Sequence, residues 1–189
     1  YIISEAAKGL EYAHSLKDPR TGDNLRLVHR DVSPPNIMVS YGGEIKVVDF
    51  GIATAANTTR LTKSGTLKGK ESYMAPEQIE GHPIDRRSDI FSLGIVFYEL
   101  LTGQMRECRI EDPRIQNPNL DDAILRVVFK ALAKNPKDRF QSAGEMYREL
   151  AVYLNQVFPE FVSGDTAVFV QNVFREKFDH ESRKIQDDN

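Results

Sequence analysis

The stretch LVHRDVSPPNIMV, residues 27–39, contains the pattern from which the fold of this chain can be worked out. It places Asp31 five residues before Asn36, and short runs of β-forming residues lie on both sides. The pattern raises two questions. Which reaction needs a carboxylate and an amide at that spacing, and why does a serine, Ser33, lie between them?

The size and the charge of the chain limit the classes of protein to consider. At 189 residues it is long enough for one domain with a hydrophobic core. With 25 basic and 28 acidic residues its formal net charge is −3, which indicates no nucleic-acid surface. The single cysteine, Cys108, cannot form an internal disulfide, and this favours a reducing compartment.

No membrane segment is predicted. The most apolar run, IFSLGIVFYELL at 90–101, has twelve residues and contains Glu99, so it is too short to span a bilayer. The sequence has no signal-peptide pattern either. We therefore expect a soluble, cytoplasmic chain.

The first part of the sequence predicts a helix followed by a small hairpin. Apolar residues at helical spacing indicate an amphipathic helix over residues 2–16, and a turn-rich, exposed excursion follows at 17–24. The stretch NIMVSYGGEIKVVDF, residues 36–50, alternates on both sides of Gly42-Gly43 and predicts a tight hairpin. Residues 53–71 lack periodicity and are rich in Thr, Lys and Gly, which is typical of a long mobile loop.

A helix that is apolar nearly all round is predicted in the middle of the chain. Asp85 is expected to cap its N terminus, and the helix should run through Leu101 and end at Gly103. Because such a helix has no polar face to turn towards solvent, we expect it at the centre of the domain.

Three further helices are predicted towards the C terminus. The first is closed by Asn135-Pro136, the second opens at the capping-box sequence SAGE (142–145), and the third is capped by Asp165 and followed by a frayed tail. The last of these helices is expected to turn its apolar face to a partner surface. The inward-facing residues predicted for the three helices are, in order, Ile124, Val127, Val128, Ala131 and Leu132; Met146, Leu150, Tyr153, Leu154 and Val157; and Val170, Val173, Phe174 and Phe178.

Three motifs occur in a fixed order around the hairpin and the long loop. HRDVSPPN (29–36) lies just before the hairpin, DFG (49–51) just after it, and APE (75–77) after the loop. This ordered set is far more specific than any one of the motifs alone. It resembles the protein kinase superfamily, and the resemblance covers at least residues 1–157.

The resemblance implies an α+β protein kinase-like fold, of which this chain is the mainly helical C-terminal lobe with a small β-hairpin beside the catalytic loop. Residues 1–157 would form the lobe, with the catalytic loop at 29–36 and the activation segment at 49–77, and residues 158–189 would form a helical extension and frayed tail. The stretches YMAPEQ and ALAKNPKDRF resemble those of eukaryotic-like bacterial Ser/Thr kinases.

A kinase of this family transfers the γ-phosphoryl group of ATP to a protein Ser or Thr hydroxyl, and the resemblance assigns roles in that reaction. Asp31 would be the catalytic base, while Asn36 and Asp49 would hold Mg²⁺ and with it ATP. His29 resembles a packing residue of the catalytic loop, so we assign it no proton-transfer role.

The nucleotide-binding lobe of such a kinase cannot be placed in this sequence. A Gly-rich loop, a lysine in a VAIK-like strand and its glutamate partner are all missing. We therefore expect an N-terminal lobe outside this chain to be a partner, and we expect the chain alone to be inactive and to bind ATP weakly. The protein substrate would be the other partner.

Two positions depart from the family pattern together. Ser33 occupies the place of a lysine that reaches the transferred phosphate, and Lys70 occupies the place of a threonine that bonds back towards the catalytic aspartate. One interpretation is that Lys70 supplies the cation from the activation segment while Ser33 supplies the hydroxyl. The other is that Lys70 is simply solvated.

Regulation by phosphorylation is predicted at Thr66, four residues before Lys70, with Arg30 as the partner of the phosphate. The alternatives are that another hydroxyl of the loop is used or that none is; the other candidates are Thr58, Thr59, Thr62 and Ser64.

Two functions remain open from the sequence. The first is the catalytic lobe of a Ser/Thr kinase, which the retained Asp31, Asn36 and Asp49 favour. The second is a pseudokinase-like interaction or regulatory module, which Ser33 and the missing lobe favour.

Overall fold

This computed structural model describes residues 1–50, 71–104 and 110–178, which contain six α-helices, several short 3₁₀ turns and one two-stranded antiparallel sheet. This mainly helical architecture with a small hairpin agrees with the predicted fold class. The elements are α1 (Ile2–His14), β1 (Ile37–Val39), β2 (Ile45–Val47), α2 (Pro76–Ile79), α3 (Arg86–Thr102), α4 (Asp122–Ala131), α5 (Ala143–Val157) and α6 (Ser163–Val173).

Helix α3 lies at the centre of the core, as its all-round apolar sequence predicts. Its residues from Ser88 to Tyr98 are all buried. The Asp85 side chain accepts a hydrogen bond from the backbone N–H of Arg87, and Gly103 ends the helix in the left-handed conformation with φ 68°. The predicted start and end of this helix are therefore confirmed.

Helix α1 packs against α3 and α5 through the apolar face that its periodicity predicts, which includes Ile3, Ala6, Ala7 and Leu10. It ends at His14, two residues earlier than predicted. The reason is that the backbone beyond His14 pairs with the returning excursion: Leu25 N–H donates to the carbonyl of Leu16, and Lys17 forms a bridge with Asn24.

Helices α4 and α5 begin at side-chain caps. Asp121 accepts from Ile124 N–H and Ser142 accepts from Glu145 N–H. The capping box at Ser142 is only half formed, because the Glu145 carboxylate accepts from the N–H of Gln141 instead of closing back on Ser142.

The predicted inward faces of α4 and α5 are largely correct. All five apolar residues predicted for α4 and the turn after it are buried, and so are Met146 and Leu150 of α5. The prediction that Val157 faces inward is wrong, because this residue is 45% exposed. No residue of α5 after Leu150 is fully buried, since the last two turns of the helix extend beyond the core.

Helix α6 differs most from its prediction. It begins at Ser163, so Asp165 lies in the first turn, where its carboxylate accepts from Val162 N–H instead of capping as the N-terminal residue. Of the predicted apolar face, Val170 is 7% exposed, whereas Val173 and Phe174 are 56% and 47% exposed. This helix covers the hairpin with a narrower face than the sequence pattern indicates.

The hairpin has the predicted position. Ile37 pairs with Val47 and Val39 with Ile45, and the connecting turn contains Gly43 with φ 81°. The predicted mobile loop lies almost wholly outside the described residues, as do Thr66, Lys70, Cys108 and the predicted frayed tail. Within the described ranges, no helix is long and apolar enough to cross a bilayer.

Candidate active site

Asp31 and Asn36 form one hydrogen-bonded unit. The side-chain amide nitrogen of Asn36 donates to the backbone carbonyl of Asp31 at 2.8 Å and to Oδ2 of the same residue at 3.1 Å. Asn36 is buried, whereas Asp31 is partly exposed. The two bonds use both amide hydrogens of Asn36, so they orient the Asp31 carboxylate and leave the amide oxygen of Asn36 as an acceptor.

A buried aspartate of the central helix holds the backbone that carries Asp31. Asp89 accepts from the N–H of His29 at 2.7 Å and from the N–H of Arg30 at 2.8 Å. It also bonds Nε2 of His14 at 2.8 Å. The sequence analysis missed this residue, although a carboxylate in a helix that is apolar all round is a signal that could have found it, since buried charges need partners.

Arg30, next to Asp31, is held in an unusual backbone conformation. Its φ is 68°, in the left-handed region that non-glycine residues rarely adopt. The side chain of Gln78 clamps it, because Nε2 donates to the carbonyl of Arg30 at 3.0 Å while Oε1 accepts from Ala75 N–H. Helix α2 and the residue before it therefore contact the backbone next to Asp31 directly.

His29 is a packing residue in this structure. It is fully buried, its Nε2 lies 2.8 Å from the carbonyl oxygen of Val48, and its ring lies 4.5 Å from that of Phe50. These contacts join the HRD stretch to the strand that leads to Asp49. Nδ1 of His29 accepts from the N–H of Asp31 at 3.3 Å, so both ring nitrogens contact backbone groups.

Asp49 follows the second strand of the hairpin. Val48 N–H donates to the carbonyl of Asn36 at 2.9 Å, and this bond closes the base of the hairpin. Asp49 is the next residue after that base. Asp49 has φ 58° and an exposed side chain. Left-handed conformations of non-glycine residues cost about 1–3 kcal/mol and persist where the surroundings impose them, often at functional sites.

Ser33 turns its hydroxyl towards the protein backbone. The residue is 2% exposed, and its Oγ donates to the carbonyl of Asp31 over 3.4 Å. It also precedes the 3₁₀ turn Pro34–Asn36, in which its own carbonyl accepts from Asn36 N–H. Lys70 and Thr66 lie outside the described residues, so their predicted roles stay predictions.

A buried ion pair lies next to the stretch that contacts Arg30. Glu77 and Arg139 form two parallel hydrogen bonds of 2.6 and 2.8 Å, and Ser88 donates to the same carboxylate at 2.7 Å. Burial alone would raise the pKa of Glu77, but the bonds from Arg139 and Ser88 outweigh it and lower the pKa below its ordinary value. The pair connects the APE stretch to the loop before α5.

The oxygen donors at this site fit Mg²⁺. The amide oxygen of Asn36 and the carboxylate of Asp49 are hard ligands, and Mg²⁺ in nucleotide sites takes one or two protein groups together with phosphates and water. Within residues 1–50, 71–104 and 110–178 no cluster of three or more His, Cys, Asp or Glu side chains could hold a metal.

The helical core, the Asp31–Asn36 unit and the hairpin leading to Asp49 together define the C-terminal lobe of a protein kinase. The chain belongs to the protein kinase domain family, whose model matches residues 1–177. The predicted resemblance to bacterial Ser/Thr kinases is confirmed by the relatives found.

Curated relatives and solved structures agree with this family. The chain is 36% identical over 201 residues to "Tyrosine-protein kinase MasK" of Myxococcus xanthus, covering 96% of this chain and 30% of that protein. It is 38% identical over 165 residues to the serine/threonine-protein kinase PknB of Mycobacterium leprae, covering 79% of this chain and 25% of that protein.

A solved kinase-domain structure is similar in fold. The kinase domain of PknI from Mycobacterium tuberculosis matches with a TM-score of 0.59 and 29% sequence identity, covering 80% of this chain and 53% of that chain. The chain therefore spans about half of that kinase domain and less than a third of the curated relatives.

Proposed function

We propose that this lobe catalyses transfer of the γ-phosphoryl group of ATP to a Ser or Thr hydroxyl of a protein, together with an N-terminal lobe outside the given chain. The observation that carries the proposal is the double hydrogen bond from Asn36 to Asp31, since it couples the proposed base to a proposed metal ligand. A binding module gains nothing evident from keeping this unit.

The lobe's residues would act by positioning. Asp31 would orient the acceptor hydroxyl and accept its proton, and Asn36 would keep the carboxylate turned towards that hydroxyl. Asp89 would hold the loop through the backbone N–H groups of His29 and Arg30. Asn36 and Asp49 would hold Mg²⁺, which supplies neutralisation of charge on the phosphates when bound.

The test of this function is phosphate transfer by the intact protein. We expect the full-length protein to transfer radiolabelled phosphate from ATP to a peptide library in the presence of Mg²⁺. The isolated chain should transfer none and should bind ATP only weakly, because the phosphate-covering loop and its lysine would be absent. ATP binding by the full-length protein without any transfer would favour the pseudokinase-like alternative.

The acceptor residue is a separate part of the proposal. PknB is named a serine/threonine-protein kinase, whereas the MasK relative is named a tyrosine-protein kinase. We propose Ser/Thr as the acceptor, and analysis of the phosphorylated amino acids after transfer distinguishes the two classes.

We also propose that Lys70 supplies a phosphate-directed cation in place of the lysine that Ser33 replaces. The buried Ser33 cannot carry that charge, and its hydroxyl is engaged with the Asp31 carbonyl. In the intact kinase Lys70→Thr should lower turnover by about 10²- to 10³-fold, since one transition-state electrostatic contact is lost. The added change Ser33→Lys should restore much of it. Near-normal turnover of Lys70→Thr alone would end the idea.

Thr66 is proposed as an activating phosphorylation site, with Arg30 as the group that pairs with the phosphate. The strained backbone of Arg30, clamped by Gln78, gives its side chain a fixed origin beside the catalytic aspartate. Mass spectrometry of the fully active kinase should find phosphate on Thr66, and Thr66→Ala should lower activity. Full activity without phosphate at this residue contradicts the proposal.

Two further predictions remain proposals. We place the kinase in the cytoplasm, where ATP is available to it.

We also keep the division of the chain into a lobe ending at residue 157 and an extension over 158–189, because α5 ends at Val157. The match to the family model runs on to residue 177, so all of α6 lies inside the matched region.

A further inference from the structure

The hairpin between the two proposed metal ligands is short. Each of its strands has three residues, and an isolated two-stranded hairpin is marginally stable at best in water. The pairing of its strands nevertheless decides where Asp49 lies relative to Asn36, because Asn36 comes just before the first strand and Asp49 comes just after the second. The hairpin therefore needs support from the rest of the chain.

Helix α1 supports the base of the hairpin. A Cβ placed on Gly9 would lie 3.7 Å from Cγ2 of Val47, so α1 passes close to β2, and Val47 packs against the hydrophobic core. These contacts are at the end of the hairpin near the catalytic loop. The turn at the other end, between the two strands, is contacted by a different element.

Helix α6 holds that turn. Nε2 of Gln171 donates to the carbonyl oxygen of Tyr41 at 2.9 Å, and the Tyr41 ring contacts that of Phe178 with 4.9 Å between centroids. A Cβ on Gly43 would lie 2.9 Å from both Ser163 O and Ala167 N. The turn is thus in direct contact with the backbone of α6, at a distance that only glycine permits.

Helix α6 is itself anchored. Thr166 is 6% exposed and Val170 is 7% exposed. Just before the helix, the ring of Phe161 lies 5.2 Å from that of Tyr1, which precedes α1. The helix is therefore attached to the same part of the lobe as α1 and can serve as a fixed support.

We propose that α6 braces the hairpin and that Gln171 is a positioning residue for Asn36 and Asp49, an inference that rests on the proposed function of this site. Without the bond to Tyr41, the turn opens more often and the pairing frays towards its base. Asp49 depends on that pairing, since its left-handed conformation persists only where the surroundings impose it. Loss of the brace thus weakens the Mg²⁺ site through Asp49, whereas Asn36 is also held by its two bonds to Asp31.

Three variants of the intact kinase test the brace. Gln171→Glu keeps the size of the side chain and removes the donor, whereas Gln171→Lys keeps a donor. Asn172→Asp is the matched control, because it adds the same charge one residue away on an exposed side chain whose contact is with Arg175. The measurements are hydrogen exchange of the hairpin amides and the Mg²⁺ concentration that gives half-maximal phosphate transfer.

We expect Gln171→Glu to speed hydrogen exchange in the hairpin and to raise the half-activating Mg²⁺ concentration, each by roughly three- to tenfold, as loss of one hydrogen bond would do. Gln171→Lys and Asn172→Asp should stay within about twofold of the unmodified kinase. The KM for the peptide should not change, which separates positioning of the metal ligands from a general loss of structure.

Unchanged hairpin exchange in Gln171→Glu overturns the brace, and so does a fall in turnover with the Mg²⁺ dependence unaltered. If the unmodified kinase transfers no phosphate, the proposed function fails instead. In that case hydrogen exchange alone decides whether α6 supports the hairpin.

Discussion

Asp31→Asn in the intact kinase should lower the rate of phosphate transfer by about 10²- to 10⁴-fold, the usual contribution of a positioned proton acceptor. The amide has the shape of the carboxylate and can still accept the hydrogen bond from Asn36 Nδ2. It cannot accept the proton of the substrate hydroxyl. The rate should be measured in a single turnover, so that slow product release does not hide the chemical step.

The control for this change is Asp23→Asn, which alters an exposed aspartate in the excursion after α1 in the same way. Its transfer rate should equal that of the unmodified kinase, and both variants should keep the thermal unfolding temperature and the affinity for ATP. A rate for Asp31→Asn within tenfold of the unmodified kinase would contradict the assignment of Asp31 as the base.

Removing one partner of the Glu77–Arg139 pair should lower the free energy of unfolding by about 3–5 kcal/mol, because an uncompensated charge remains buried. The Arg139 side chain has 0% exposure and also donates to the carbonyls of Ala133, Arg87 and Lys134. Domains have total stabilities of about 5–15 kcal/mol, so Glu77→Ala should unfold at a far lower urea concentration.

The matched control is Glu149→Ala, which removes the acidic partner of the exposed pair Lys130–Glu149. This pair should contribute less than about 1 kcal/mol, since water and ions screen it. Equal unfolding midpoints for Glu77→Ala and Glu149→Ala would show that the buried pair contributes no more to stability than the exposed pair. The double variant Glu77→Gln with Arg139→Met should lose less stability than the two single variants added together.

The same pair gives the lobe an acid-sensitive contribution to stability. The pKa of Glu77 is lowered in the folded chain from its ordinary value of 4.5, since the bonds from Arg139 and Ser88 outweigh the effect of burial. The contribution is therefore complete above that pH and is lost as the pH falls through the lowered pKa. Unfolding curves of the unmodified kinase and of Glu77→Gln should converge as the pH is lowered below 4.5.

Several features could be predicted because they depend on residues close together in the sequence. The caps at Asp85 and Ser142 join residues two or three apart, and the hairpin follows from alternation around a turn with Gly43 in a left-handed conformation. The bond from Asn36 to Asp31 also spans only five residues, although the sequence analysis did not predict it. In each case the local chain allows few other arrangements.

Other features were decided only when distant parts of the chain packed together. Asp89 lies 60 residues from His29, Glu77 lies 62 from Arg139, and Gln171 lies 130 from Tyr41. No periodicity predicts which buried polar groups will meet, because that depends on how the helices cross.

The ends of helices show the same division. The sequence pattern predicted that α1 continues to residue 16, but the excursion pairs with Leu16 and the helix ends earlier. It predicted Asp165 as the cap of α6, but Val162 is the residue that precedes this helix. It predicted that Val157 faces inward, but this residue lies beyond the core. The sequence by itself thus determined the kinase family, the motif order and the local turns and caps. The tertiary structure alone decided which distant groups pair and where each apolar face ends, because burial and partner choice depend on contacts that no short stretch contains.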